Sequence, residues 1–332
     1  MDFGPRPLSE ALGAILAHSH QLSGRKLKKG HTLTADDIAA LTAIGVQTLT
    51  IARPAPSDVP EDAAATQLGA ALVPDEGTAH LKRSPATTGR VNLHATAPGI
   101  VHLDATAIHA LNRIDPAITL ATLAPFTRVA VGTLTGTVKI IAYAVDATRL
   151  AQACDTARAA IRILPVTRRS ASLLLTELPG QDGKLNAKAR EVTARRLRAL
   201  GMELAEVVIT PHDTAAIAAA LPRLTGEMIL ILTASATSDL YDTGPEALRA
   251  AGGHVERFGM PVDPGNLLFT GSLGPRPVIG LPGCARSPAL NGADWVLERL
   301  ACGLTVTADD IAEMGVGGLL KEIPIRPHPR ES

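Results

Sequence analysis

LLLTELPGQDGKLNAKAREVTARRLRALGMELAEVVIT, residues 173–210, decides how the chain is read. An apolar run at 173–175 gives way to a loop of small residues, then to a helix-forming stretch at 186–200, then to a second apolar run at 207–210. Continuous rather than alternating apolar runs suit strands buried on both faces. The rhythm persists downstream, with apolar runs at 228–232 and 278–281 and helical stretches at 213–221, 244–251 and 288–302. Strands alternating with helices predict an α/β fold in which 165–303 form a three-layer α/β/α domain around a mostly parallel sheet.

Working outward, residues 1–56 read as a small α+β unit. An apolar, helix-like segment covers 8–17. Thr34 is placed to cap a short helix with Asp37 at the capping-box position, Gly45 ends it, and 46–51 reads as a strand. Residues 57–164 read as a linker helix near 61–72 followed by a mostly β segment from residue 93. There, 99–103 and 128–145 are rich in β-branched residues, and one helix falls near 105–112. The tail, 304–332, carries a short helix at 308–313 and a proline-rich end that reads as extended. No internal repeat is read.

The chain has 332 residues, with 32 Lys plus Arg balancing 32 Asp plus Glu. Without a basic excess it is a poor binder of a phosphate backbone. Four Phe, two Tyr and one Trp leave few platforms for stacked bases, so nucleic acid is excluded as a partner. By the same reasoning the basic residues Lys188, Arg195, Arg196 and Arg198 read as a solvated helix face. No run approaches the ~18 apolar residues of a membrane span, and the N-terminus lacks the features of a signal peptide. Cys154, Cys284 and Cys302 match neither a zinc motif nor a disulfide framework, and a cytoplasmic protein is expected. No P-loop, GxGxxG, HExxH or GxSxG pattern occurs. His18 and His20, two apart, share no helix face.

Open α/β sheets bind ligands beyond the carboxyl ends of their strands. Those ends carry Thr176, Gly180 and Asn186; then Thr233, Ala234, Ser235, Ala236 and Thr237, followed by Asp239 and Asp242; then Pro282, Gly283, Cys284, Arg286 and Ser287. Backbone amides there, with helix N-termini behind them, make a phosphate site. The plainer alternative is that such loops are always rich in Gly, Pro and Ser.

GLPGCARSPAL (280–290) resembles the GLPGNPVSA-type signature of the MoeA/MogA molybdopterin-binding domains, and 263–280, with Pro264 and Gly265, resembles the PGKP segment before it. Residues 232–253 lie where those families carry TSGGVSVGDYD. Residues 176–201 match their first βα unit, and 28–54 loosely match a further MoeA segment. The form is similar to that found as the front half of longer chains ending in a molybdenum cofactor cytidylyltransferase-like domain. The resemblance implies a MogA-like fold. It also implies a pterin phosphate held by the strand-end residues named above, and molybdenum cofactor biosynthesis as the setting.

Two roles follow from the resemblance: a MoeA-like transferase that inserts molybdate into molybdopterin, or a carrier that hands the cofactor to a nucleotidyltransferase or molybdoenzyme. In the first, Asp239 and Asp242 are the catalytic carboxylates and Asp242 the ligand of a metal such as magnesium; the alternative for Asp242 is a helix cap. Arg286 would add a charge-assisted contact, or be a surface arginine. Cys284 would be a thiol beside the dithiolene, or a small buried side chain. The chain departs from the family where Ala234 and Ser235 replace a double glycine, Cys284 replaces Asn, and Leu240 replaces an acidic residue. Pterin binding is therefore better supported than metal insertion. A homo-oligomer, as a dimer, is expected.

Overall fold

The computed structural model describes residues 1–180 and 183–320; the proline-rich end lies outside them. The chain divides into two compact units. One comprises residues 1–97 and 101–164, the other residues 98–100 and the chain from 165 onward.

The first unit holds two apolar cores. In one, Thr48–Arg53 lies between Asp2–Pro7 and Ile15–Leu16 in an antiparallel sheet. Helix α1 (Ala35–Ala43) packs Leu41 into this core and starts in a full capping box. The Thr34 hydroxyl accepts from the Asp37 amide while the Asp37 carboxylate accepts from the Thr34 amide. The expected helix at 8–17 does not form. Leu8, Ala11 and Ala14 are buried at near-helical spacing, but Gly13 sits at φ +74°, and the chain leaves a short 3-10 turn for the strand Ile15–Leu16. The second core is built on an antiparallel sheet ordered Ile118–Thr122, Leu134–Ile140, Arg90–Ala95, Leu81–Arg83. Helices α2 (Glu61–Leu72), α3 (Ala105–Ile114) and α4 (Ala147–Thr156) contribute Leu68, Leu111 and Leu150 to it.

The second unit contains a six-stranded mixed sheet. Its strands are β1 (Ser170–Glu177), β2 (Glu203–Pro211), β3 (Met228–Leu232), β4 (His254–Phe258), β5 (Phe269–Leu273) and β6 (Arg276–Gly280), in the order β2-β1-β3-β6-β5-β4. β2, β1, β3 and β6 pair in parallel; β5 and β4 are antiparallel. Helices α5 (Lys184–Ala199), α6 (Thr214–Ala220), α7 (Thr243–Ala250), α8 (Gly292–Ala301) and α9 (Ala308–Glu313) complete the unit. Leu173 and Leu175 pack with Ala189 of α5 and Val296 of α8, whereas Leu174 packs with Ile217 of α6 and Leu248 of α7.

The expected fold, a three-layer α/β/α domain with a mostly parallel sheet behind mostly β segments, is overturned. The strands fall into six sheets, four of them wholly antiparallel among the described residues, and the sheet with parallel pairs is itself mixed. Parallel pairing needs a crossover of a dozen residues or more. Only Gly274 and Pro275 separate β5 from β6, so these two strands must return antiparallel. The stretch from 93 to 164 carries, besides the expected helix α3, a second helix, α4, and both bury side chains in its core. α4 goes unread in the sequence, although Asp146 caps it through the amides of Thr148 and Arg149. A repeat also goes unread: Thr-Ala-Asp-Asp-Ile-Ala opens α1 at residue 34 and α9 at residue 307.

Candidate functional site

β1, β3 and β6 run parallel, so their carboxyl ends share one edge of the sheet. Hydrogen bonds stitch the three following loops together there. The buried Thr176 hydroxyl accepts from the Ala234 amide at 2.7 Å, and its oxygen lies 3.0 Å from His212 Nδ1. The Arg286 guanidinium donates to the Thr233 carbonyl at 2.9 Å. The Thr233 hydroxyl donates to the Ser235 carbonyl at 2.6 Å, while Ser235 and Ala236 are exposed and Thr237 is buried.

Arg286 is the unusual group. It is half-buried on the short 3-10 turn Gly283–Arg286, and burial alone pulls its pKa below the usual arginine range. Its Nε is buried without a hydrogen-bond partner, and no carboxylate pairs with it among the described residues. A desolvated cation lacking a counter-charge is costly unless something anionic is supplied. Asn291, fully buried at the cap of α8, spends its Oδ1 on the Ala293 amide and leaves Nδ2 without a partner. The orphaned Arg286 Nε is a donor, which suits an acceptor-rich ligand. A Cβ on Gly283 would meet only Arg286 Nη1, at 3.7 Å, so nothing within the chain demands glycine there.

Other expected site residues have local tasks. Asn186 donates from its amide to Glu177 Oε1 at 3.0 Å. Gly180 turns the chain at φ +80° with open space beside it. The Pro264 carbonyl accepts from the Gly292 amide at 2.8 Å, and a Cβ on Gly265 would come within 2.7 Å of the same nitrogen, so this pair serves the close approach of α8. The Pro282 carbonyl accepts from the Ala285 amide, and the carbonyl of the half-buried Cys284 accepts from the Ser287 amide.

The carboxylates are engaged. Asp242 caps α7: Oδ1 accepts from the Thr243 amide at 2.6 Å, and Oδ2 from the Ser238 amide at 2.9 Å and its hydroxyl at 3.3 Å. Burial pushes this carboxyl upward, but the hydrogen bonds outweigh it and hold the pKa below the ordinary value. Asp239 accepts from the Tyr241 amide at 2.7 Å. No group of three or more His, Cys, Asp or Glu side chains is placed to hold a metal among the described residues. Both Asp242 oxygens thus accept hydrogen bonds from within the loop and the first turn of α7.

Two residues of this site escape the sequence reading. Arg196 is not part of a solvated face: with its side chain 14% exposed, it pairs with Asp294 at 2.6 Å. It also donates to the carbonyls of Ala285, Ser287 and Ala289, pinning the loop that carries Arg286. Its spacing from the buried Ala189 and Val192, at i+7 and i+4, places it beside the apolar stripe of α5 and is the signal that could have found it. His212, just past the end of β2, contacts Thr176 but carries no comparable pattern.

Residues 5–53 match a family model described as a domain of unknown function, DUF8806. No curated protein matches the chain. Among solved structures, the chain is similar to the molybdopterin biosynthesis MoeA protein from Pyrococcus horikosii, with 12% identity over 91% of this chain and 75% of that one, at a TM-score of 0.33. A likeness at that score carries no argument about function. No helix among the described residues is long and apolar enough to cross a membrane.

Proposed function

We propose that the chain binds a phosphorylated pterin of the molybdopterin class on the rim formed by residues 176, 233–242 and 282–287, and carries it rather than inserting metal. The observation behind the anion is Arg286, a half-buried guanidinium with an orphaned Nε and, among the described residues, no carboxylate partner. The heterocycle comes from the resemblance of 280–290 to the molybdopterin-binding signature. Carriage is favoured over molybdate insertion because both oxygens of Asp242 already accept hydrogen bonds, Oδ1 at the cap of α7 and Oδ2 from Ser238 in the preceding loop. Delivery to a nucleotidyltransferase or a molybdoenzyme, and a dimeric state, belong to the same proposal.

Arg286→Gln should weaken binding of inorganic phosphate and of a pterin carrying a carboxylate at least about tenfold, since a charge-assisted contact is lost. Asp242→Asn should leave both affinities near wild type. Isothermal titration of the full chain, with circular dichroism to confirm folding, measures both. Unchanged affinity in folded Arg286→Gln overturns the reading.

A further inference from the structure

Tyr241 stands on the same rim, in the loop between β3 and α7, with 73% of its surface exposed. We propose that its ring is the stacking platform for the flat heterocycle of the ligand whose anionic group Arg286 holds, an inference that rests on the reading above.

Three observations carry it. First, the ring is held. The Arg249 guanidinium lies 5.1 Å from its centroid, and Arg249 is itself fixed by the Leu240 carbonyl and the Glu246 carboxylate. The Tyr241 amide donates to Asp239, so the backbone beneath the ring is tied as well. A cation on one face leaves the other to receive a planar partner and lowers the ordering cost of binding. Second, the position is anomalous. Of the chain's seven Phe, Tyr and Trp rings two lie largely in water, Phe3 (54%) and Tyr241 (73%), and of these two only Tyr241 does so in a strand-end loop. Third, the neighbouring loops and the first turn of α5 at this edge also expose apolar surface. Leu178 (40%) and Leu185 (56%) follow β1, and Leu290 (51%) follows β6. Apolar and aromatic surface around a few fixed polar groups is the usual make-up of a small-molecule site.

The test separates the two halves of the ligand. Full-length protein is titrated with pterin-6-carboxylate and, separately, with inorganic phosphate. Tyr241→Ala should weaken the pterin about tenfold, in keeping with the loss of one stacking contact, and leave phosphate unchanged. Tyr241→Phe should bind the pterin like wild type, because stacking uses the ring and not the hydroxyl. Unchanged phosphate affinity shows that the loop still stands, so a purely structural effect would be seen as a loss in both titrations. If wild type binds the pterin, Arg286→Gln does not and Tyr241→Ala does, the platform is refuted while the anion site survives. If wild type binds neither probe, the underlying reading falls and the platform with it.

Discussion

Residues 34–39 and 307–312 are the same six amino acids, and they open α1 and α9 with the same capping box. What surrounds the third of the three polar positions differs. Asp37 is 1% exposed and takes Arg25 on one oxygen and His31 on the other, each at 2.7 Å. Asp310 is exposed and accepts from the Thr307 amide and hydroxyl, with Arg299 drawing its pKa down further. For Asp37, burial alone would raise the pKa. Hydrogen bonds from the Thr34 amide, His31 and the Thr34 hydroxyl, together with the His31 charge, hold it far below the usual carboxylate range. Identical local sequence thus fixes where a helix starts, while the tertiary setting decides how much the capping carboxylate contributes.

The sharpest way to break this comparison is to remove the charge from the first copy. Asp37→Asn should destabilise α1 by about 2–3 kcal/mol, because a buried carboxylate loses charged hydrogen bonds. Hydrogen exchange at α1 amides in the full chain reads it, and a loss no larger than at the second copy would refute the distinction. The same variant predicts a pH dependence. A carboxyl depressed in the folded state contributes fully above its unfolded pKa, and the contribution fades as pH falls toward the folded value. The gap between wild type and Asp37→Asn should therefore persist at neutral pH and narrow below about pH 4. Thr34→Ala and Thr307→Ala should cost about 1 kcal/mol each, alike because the hydroxyl's task is local in both copies. Asp310→Asn should have the smallest effect, about 0.5 kcal/mol, since its surroundings are open to solvent.

The same division between local and tertiary explains what the sequence makes legible. Thr34, Asp37 and Gly45 announce α1 because cap and stop are local, and the apolar runs at 173–175 and 228–232 announce β1 and β3. Direction is not local: whether 269–273 returns antiparallel depends on the two-residue link to β6, not on the composition of the run. Leu8, Ala11 and Ala14 have helical spacing, yet a left-handed glycine between the last two breaks the helix, and the chain passes from a short 3-10 turn to the strand at 15–16. At the site, Arg286 is visible as a residue. Its orphaned Nε, and the lack of a carboxylate beside it among the described residues, emerge only once the loop folds, and Arg196 reads as solvated until its three carbonyl partners are in place.

Residues 98–100 belong with the second unit although the chain on either side of them belongs with the first, and the Val166 amide donates to the Pro98 carbonyl at 3.1 Å. During synthesis this short piece leaves the ribosome before any other part of its unit exists. It must wait, flanked by foreign neighbours, until residue 165 and beyond arrive. A single cut between residues 164 and 165 therefore releases no intact second unit, only one lacking residues 98–100.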